Sequence, residues 1–160
     1  MRTRIATTND GVRKGAATVE LAMVLPLLLF MLFSIIEVGY LVKNRMELGQ
    51  AAREASRAAI VGAVPATLTE RIGENLPSIN IADVQTTYDF RHWDTDTGAW
   101  GNWQVLGTDG IKNNARQGDQ IRIRLSCGHT LMIPGLTGSV LGADENGQVT
   151  LEAAAMLMRE

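Results

Sequence analysis

Lys14-Gly15-Ala16-Ala17-Thr18-Val19-Glu20, followed by the sixteen uncharged residues Leu21–Ile36 (LAMVLPLLLFMLFSII), is the stretch on which the reading of this chain turns. Arg2, Arg4, Arg13 and Lys14 precede the run and Glu37 closes it. From Ala16 to Val42 there are 27 mostly apolar residues, interrupted by two glutamates. A helix needs about 20 apolar residues to cross the hydrocarbon core of a bilayer. This segment is therefore long enough to span, and too long and too early in the chain to be the core helix of a soluble domain.

Three accounts of this beginning compete. A cleaved secretory signal needs about 7–15 apolar residues followed by small ones in an A-x-A arrangement. Here Ser34-Ile35-Ile36-Glu37-Val38-Gly39-Tyr40 puts bulky side chains where the small ones belong. A plain single-pass anchor explains the length and the basic flank but gives Glu20 no reason to be there. The third account is a leader, residues 1–15, cut between Gly15 and Ala16. An ionisable residue costs about 2.5–3.5 kcal/mol at the centre of a membrane helix, less near an end, and marks a functional position by default. Cleavage would give Ala16 a free amine, protonated at neutral pH. Glu20, four residues on, then lies one helical turn from that cation. It can neutralise its own amine or that of a neighbouring subunit, and the second option couples leader removal to lateral assembly. A carboxylate at the interface is also favoured by the macrodipole at a helix N-terminus. On these residues alone both explanations of Glu20 stand.

The basic leader with Arg13 and Lys14, Gly15 before the cut, glutamate at the fifth mature position and an apolar helix beginning at once look like a class III (prepilin) signal. The longer string from Arg13 to Gly62 resembles the TadE-like family, pseudopilins of the tight-adherence (Tad, or Flp) pilus system. Glu20-Leu21-Ala22, Pro26-Leu27-Leu28, Glu37-Val38-Gly39 and Ala51-Ala52-Arg53-Glu54-Ala55 carry the resemblance. It weakens in the second half, although Gly118-Asp119 before a strand and the final Ala155-Met156-Leu157-Met158-Arg159-Glu160 also look like the family's ending. Leu21 departs from the phenylalanine more usual there in prepilin helices. The resemblance implies a precursor cut by a prepilin peptidase between Gly15 and Ala16. It further implies assembly through the apolar helix with other pilins or pseudopilins and an inner-membrane assembly platform, in adhesion or secretion. A chain with a real head would be an accessory (minor) subunit, a substrate of an enzyme and not itself an enzyme. The alternative is a single-pass membrane-anchored binding or sensor module outside any pilus.

Overall charge is −2. The first fifteen residues hold four basic residues and Asp10, so 15 less 4 basic and 17 less 1 acidic residues leave 11 against 16, net −5. That acidic balance argues against a nucleic-acid partner, which would require a basic footprint. The basic side of a membrane helix stays in the cytoplasm. The N-terminus is therefore expected inside a cytoplasmic membrane and the C-terminal bulk outside it, periplasmic or extracytoplasmic, although Lys43 and Arg45 partly oppose this. Cys127, the single cysteine, permits no intrachain disulfide and reads as a small apolar core residue.

Beyond the membrane run the segment KNRMELGQAAREASRAAIVG has no proline and ends at Gly62, predicting that one helix continues from Ala16 to Val61, roughly 70 Å long. Pro26 removes one hydrogen bond, to the carbonyl of Ala22, and predicts a kink or local melting. Gly49 is a second soft point. Ala51, Ala52, Ala55, Ser56, Ala58 and Ala59 offer small side chains for close packing, with Arg53, Glu54 and Arg57 on the solvated side. Past Pro65 a short helix, Ala66 to Leu76, ends at Pro77. Period-two alternation then marks strands at Val84 to Trp93, Ala99 to Leu106, Gln120 to Cys127 and Val149 to Met158. The segments from Gly107 to Asp119 and from Gly128 to Gly147 read as connections. The expected domains are leader 1–15, transmembrane helix 16–42, helical continuation 43–62 and head 65–160. The expected fold is α+β and pilin-like, a long helix packed at its C-terminal half on a small antiparallel sheet of about four strands.

Other chemistry is thinly supported. His92, Asp94 and Asp96 are close, but a calcium loop needs a third ligand and a later glutamate, so Asp94-Thr95-Asp96-Thr97-Gly98 reads as a turn. Cys127 and His129 lack the further ligands a zinc site requires. Trp93, Trp100 and Trp103 read as hairpin and core packing. The stretch Leu131 to Leu136, with Val140 and Leu141, reads as core or as an exposed patch. No catalytic, metal or cofactor residues are expected.

Overall fold

The computed structural model describes residues 10–159, without the side chains of residues 10–14, Ala16 and Leu136. Two units divide the chain, Met1–Val38 and Gly39–Glu160, and one helix, α1 (Asp10–Ile60, 51 residues), contributes to both. The expected helix started at Ala16. It starts earlier because Gly11 and Gly15, although poor helix formers, do not interrupt it, and no proline lies before Pro26. The helix is also continuous through Pro26, so the chain is not melted there. In the first unit Val19, Leu21, Met23, Leu27, Leu28, Ile35 and the other large apolar side chains up to Ile36 are mostly exposed. Ser34 Oγ donates to the Phe30 carbonyl at 2.9 Å, a polar group satisfied within the helix itself.

In the second unit α1 presents Leu41, Leu48, Ala51, Ala52, Ala55 and Ala59 to the core, all buried. Their three- and four-residue spacing makes one helical stripe, and the alanines let the sheet's side chains come close. The helix stops at Ile60, where Gly62 N donates to the Ala59 carbonyl at 3.0 Å. A second helix, α2 (Pro65–Glu74), begins with proline at its first turn, where no amide is needed, and buries Leu68 and Ile72 one turn apart. It ends two residues short of the expected Leu76.

Six strands follow: β1 (Val84–Arg91), β2 (Trp93–Asp94), β3 (Ala99–Trp100), β4 (Gln104–Val105), β5 (Gln120–Thr130) and β6 (Gln148–Met158). The main sheet has the order β4-β1-β5-β6 and is antiparallel throughout. Ile121, Ile123, Leu125 and Cys127 of β5 point inward with Val84 and Phe90 of β1 and Leu151 and Ala155 of β6, as their alternation predicts. The expected strand Ala99 to Leu106 is a correction. It is broken at Gly101-Asn102-Trp103 into β3, which pairs with β2, and β4, which pairs with β1. Gly101 N bonds back to the His92 carbonyl at 2.9 Å, and Trp103 leaves the ladder to stack with arginines. Where a plain connection is expected after Gly128, β5 runs on to Thr130 and a third helix, α3 (Pro134–Leu141), follows.

Gly147 closes the α3–β6 connection with φ +72°, and a Cβ built there would lie 2.5 Å from the Pro134 Cβ. Gly142 has the same φ, +72°, with open space around it. Gly147→Ala is expected to destabilise the head by about 2 kcal/mol, from left-handed strain plus the clash. Gly142→Ala should lose only about 1 kcal/mol, from conformation alone. Urea midpoints of the two variants in neutral detergent check this, and equal shifts would remove the clash from the account.

Candidate processing and assembly site

Gly15, Ala16 and Glu20 all lie within α1. At about 1.5 Å per residue, Glu20 is roughly 6 Å along the axis from Ala16, one turn away on the same side. Glu20 is exposed, and among the described residues it makes no ion pair. Its neighbours Ala17, Thr18, Val19 and Leu21 are exposed as well. The carboxylate is thus displayed at the start of an exposed apolar stretch, Val19 to Ile36, available to a cation on the same helix or a neighbouring one. Arg13 and Lys14 fall in the first turns of α1, their side chains outside the described residues, as are Arg2 and Arg4 altogether. Gly15 carries no side chain, and nothing within 4 Å would meet one there. Between Gly15 and Ala16 the peptide bond is helical, so a peptidase that grips extended backbone has to unwind it. Glycine's poor helix propensity, about 1 kcal/mol below alanine, lowers that cost.

The remaining sequence candidates are placed in the head. Asp94 caps its own turn, accepting from Asp96 N at 2.9 Å, Thr97 N at 3.4 Å and Thr97 Oγ1 at 2.8 Å. The Thr97 hydroxyl and then these amides hold its carboxyl below the ordinary value. His92 pairs instead with Asp119, Nδ1 to Oδ1 at 2.6 Å, and Asp119 is buried. Among the described residues no group of three or more His, Cys, Asp or Glu is gathered for a metal. Cys127 and His129 share the inward face because β5 passes through Gly128, but His129 Nδ1 meets Asn44 Nδ2 at 3.2 Å. Burial pushes the Cys127 thiol up, with Asp83 adding to the shift, which disfavours a thiolate nucleophile. Leu131 is buried while Met132 and Val140 are exposed, so that stretch is divided between core and surface.

One cluster is absent from the sequence reading. Asp89, buried on the sheet's outer face, accepts from Arg122 Nη2 at 2.8 Å and Arg124 Nη2 at 3.0 Å. Arg122 lies 3.9 Å over the Trp103 ring, Arg91 is 4.5 Å from the same ring and 5.0 Å from Trp100, and Trp100 meets Trp93 edge to face at 5.1 Å. Opposite charges at alternating positions of two strands are its sequence signal. Only the register Asp89↔Arg122 turns that signal into contact. The cluster fills the broken hairpin and explains why Trp103 leaves the ladder.

An exposed apolar helix long enough to cross a membrane, continued into the core of a small α+β head, defines a class of single-helix membrane-capable proteins. Over part of its length it is similar to a known family: the family model described as TadE-like protein matches residues 15–57. The match takes in Gly15, Ala16, Glu20, Pro26 and most of the alanine stripe and stops before the sheet. Among curated proteins and among solved structures there is no match.

Proposed function

We propose that the chain is a minor pseudopilin of a Tad/Flp-type pilus. A prepilin peptidase hydrolyses the Gly15–Ala16 bond, leaving a carboxylate on Gly15 and an ammonium on Ala16. The apolar helix then moves from lipid into contact with the helices of other pilins or pseudopilins on an inner-membrane platform. Its N-terminus faces the cytoplasm and its head the periplasmic or extracytoplasmic side. The chain is a structural subunit and a substrate of processing, not a catalyst.

The observation that carries this reading is Glu20, exposed one turn beyond Ala16 on a helix whose large side chains from Val19 to Ile36 are apolar and mostly exposed. In the uncut chain α1 already runs from Asp10, so Glu20 lies beyond the first turn where the helix-end field favours a carboxylate, whereas a cleaved subunit acquires the cation that neutralises it. The TadE-like match over the same residues supports it. The test is the intact mass of the protein extracted from membranes of cells with a working prepilin peptidase. The mature chain should begin at Ala16, and in peptidase-deficient cells it should keep its first fifteen residues. A chain that keeps them in both backgrounds is the plain anchor.

A further inference from the structure

The long free edge of the sheet lies beside a row of arginines. β6 is eleven residues long and, among the described residues, pairs only with β5. Edge strands are ordinarily blunted by proline, lysine or short length because their unpaired amides and carbonyls invite another strand. β6 (QVTLEAAAMLM) has no proline, no lysine and one charge, Glu152. The opposite edge, β4, is two residues long. Two openings of about 460 and 320 Å³ follow one another between α1 and β6. Arg45, Gly49 and Arg53 line the first with Glu152 and Ala154; Arg53 and Arg57 line the second with Ala154 to Leu157.

Arg45, Arg53 and Arg57 are exposed and fall on one four-residue row of α1, with Gly49 filling the remaining place. Among the described residues neither Arg45 nor Arg53 makes an ion pair, and Arg57 meets only Glu54, at 3.7 Å on the surface. Such an exposed pair is weak and readily exchanged. We propose that this groove receives an extended acidic segment of a partner protein, which adds to β6 as a fifth strand. The spacings agree. The arginines are separated by about 12 and 6 Å along the helix, and positions four and two apart on one face of a strand lie about 13 and 7 Å apart. A strand with carboxylates at i, i+4 and i+6, read along the helix in either chain direction, therefore matches all three. Main-chain bonds to the edge give affinity and the carboxylates give selection, as in other strand-addition complexes. A second copy of β6 offers only Glu152 and does not satisfy the row. The inference is independent of leader cleavage and of Glu20.

The test uses the full chain in neutral detergent micelles and a fluorescent eleven-residue peptide of alternating threonine and valine with three glutamates in that spacing, followed by anisotropy. Saturable binding is expected. Arg45→Glu and Arg53→Glu should each weaken it about tenfold, while Arg116→Glu, on an exposed loop, leaves it unchanged. N-methylation of one alternate set of peptide amides should abolish binding, and methylation of the other set should not. Each protein variant is accepted only with an unchanged circular dichroism spectrum and thermal midpoint. Equal binding by both methylated peptides would overturn strand addition. Affinity indifferent to the two arginine substitutions would overturn the groove. Arginine-dependent self-association, or arginine-dependent binding to anionic lipid vesicles, with no peptide binding would assign the row to another occupant and also overturn the proposal.

Discussion

Glu20→Ala is expected to cut lateral association of the processed subunit by more than about a hundredfold, while its head stays folded. In the proposed mechanism the substitution removes the partner of the Ala16 ammonium and leaves that cation uncompensated between apolar helices. Breaking one side of a buried ion pair costs about 3–5 kcal/mol, and 3 kcal/mol is already more than two powers of ten in an association constant. Because Glu20 is exposed in the isolated chain, nothing within the chain is lost by its removal. The check is recovery of the variant with other pilus subunits after crosslinking in membranes, normalised to the amount of protein cut at Ala16. Unaltered recovery removes the pairing of amine and carboxylate from the mechanism, and the remaining account of Glu20 is its comfort at a helix N-terminus.

The second large effect belongs to Asn113. Its side chain is buried and donates from Nδ2 to the Ala59 carbonyl at 2.7 Å and the Ala63 carbonyl at 2.9 Å. Its Oδ1 accepts from Arg159 Nη1 at 2.6 Å, and its backbone N donates to the Gly62 carbonyl at 3.0 Å. One amide therefore gives the Ala59 carbonyl in the last turn of α1 a second donor, beside Gly62 N, satisfies the Ala63 carbonyl just beyond the helix, and ties both to the residue following β6. Arg159 also donates to the Ala115 carbonyl, closing the same knot. Asn113→Ala takes the donor from the Ala63 carbonyl, at about 1–3 kcal/mol, and removes one of two bonds each from the Ala59 carbonyl, which keeps Gly62 N, and the Arg159 guanidinium, which keeps the Ala115 carbonyl, at about 0.5–1.5 kcal/mol apiece. A loss of about 3–4 kcal/mol is expected. For the 122 residues of the second unit that is a fall of roughly 10–15 °C in melting temperature. Asn113→Asp should be no better, since it replaces the donors with a charge beside the negative end of the helix. Thermal melts in neutral detergent decide it; a shift under 3 °C would mean that water or a moved side chain satisfies the helix end.

The apolar run, the alanine stripe and the alternation of β5 and β6 were legible because each is a local pattern tied to one geometry. Ile121, Ile123, Leu125 and Cys127 can share a face only in an extended chain, and they do. The break in the hairpin was not legible. Ala99 to Leu106 keeps acceptable strand composition, and what bends it is the approach of Arg91 and Arg122 to Trp103, a contact set by register. Helix α3 was hidden for a different reason. PGLTGSVL contains two glycines and a leading proline, a composition that says loop. Yet Leu131 and Leu141 join the core on either side, and Gly142 in the left-handed region ends the helix. Of the candidate site, Gly15, Ala16, Glu20 and Pro26 were read from type and spacing. The structure adds that the Gly15–Ala16 bond, proposed as the one cut, is helical. Asp89 with its two arginines, and Asn113, were invisible because their partners lie 33, 35 and up to 54 residues away in sequence.

The three indoles of this protein, Trp93, Trp100 and Trp103, all sit in the broken hairpin, two of them in edge contact and two against Arg91. Under excitation selective for tryptophan, the molecule therefore emits from that single corner, and the rest of the head and the apolar helix are dark. A ligand or neighbour that alters the spectrum has touched the hairpin or moved its arginines, and one that binds without altering it has docked elsewhere. The chain carries its own position-specific dye.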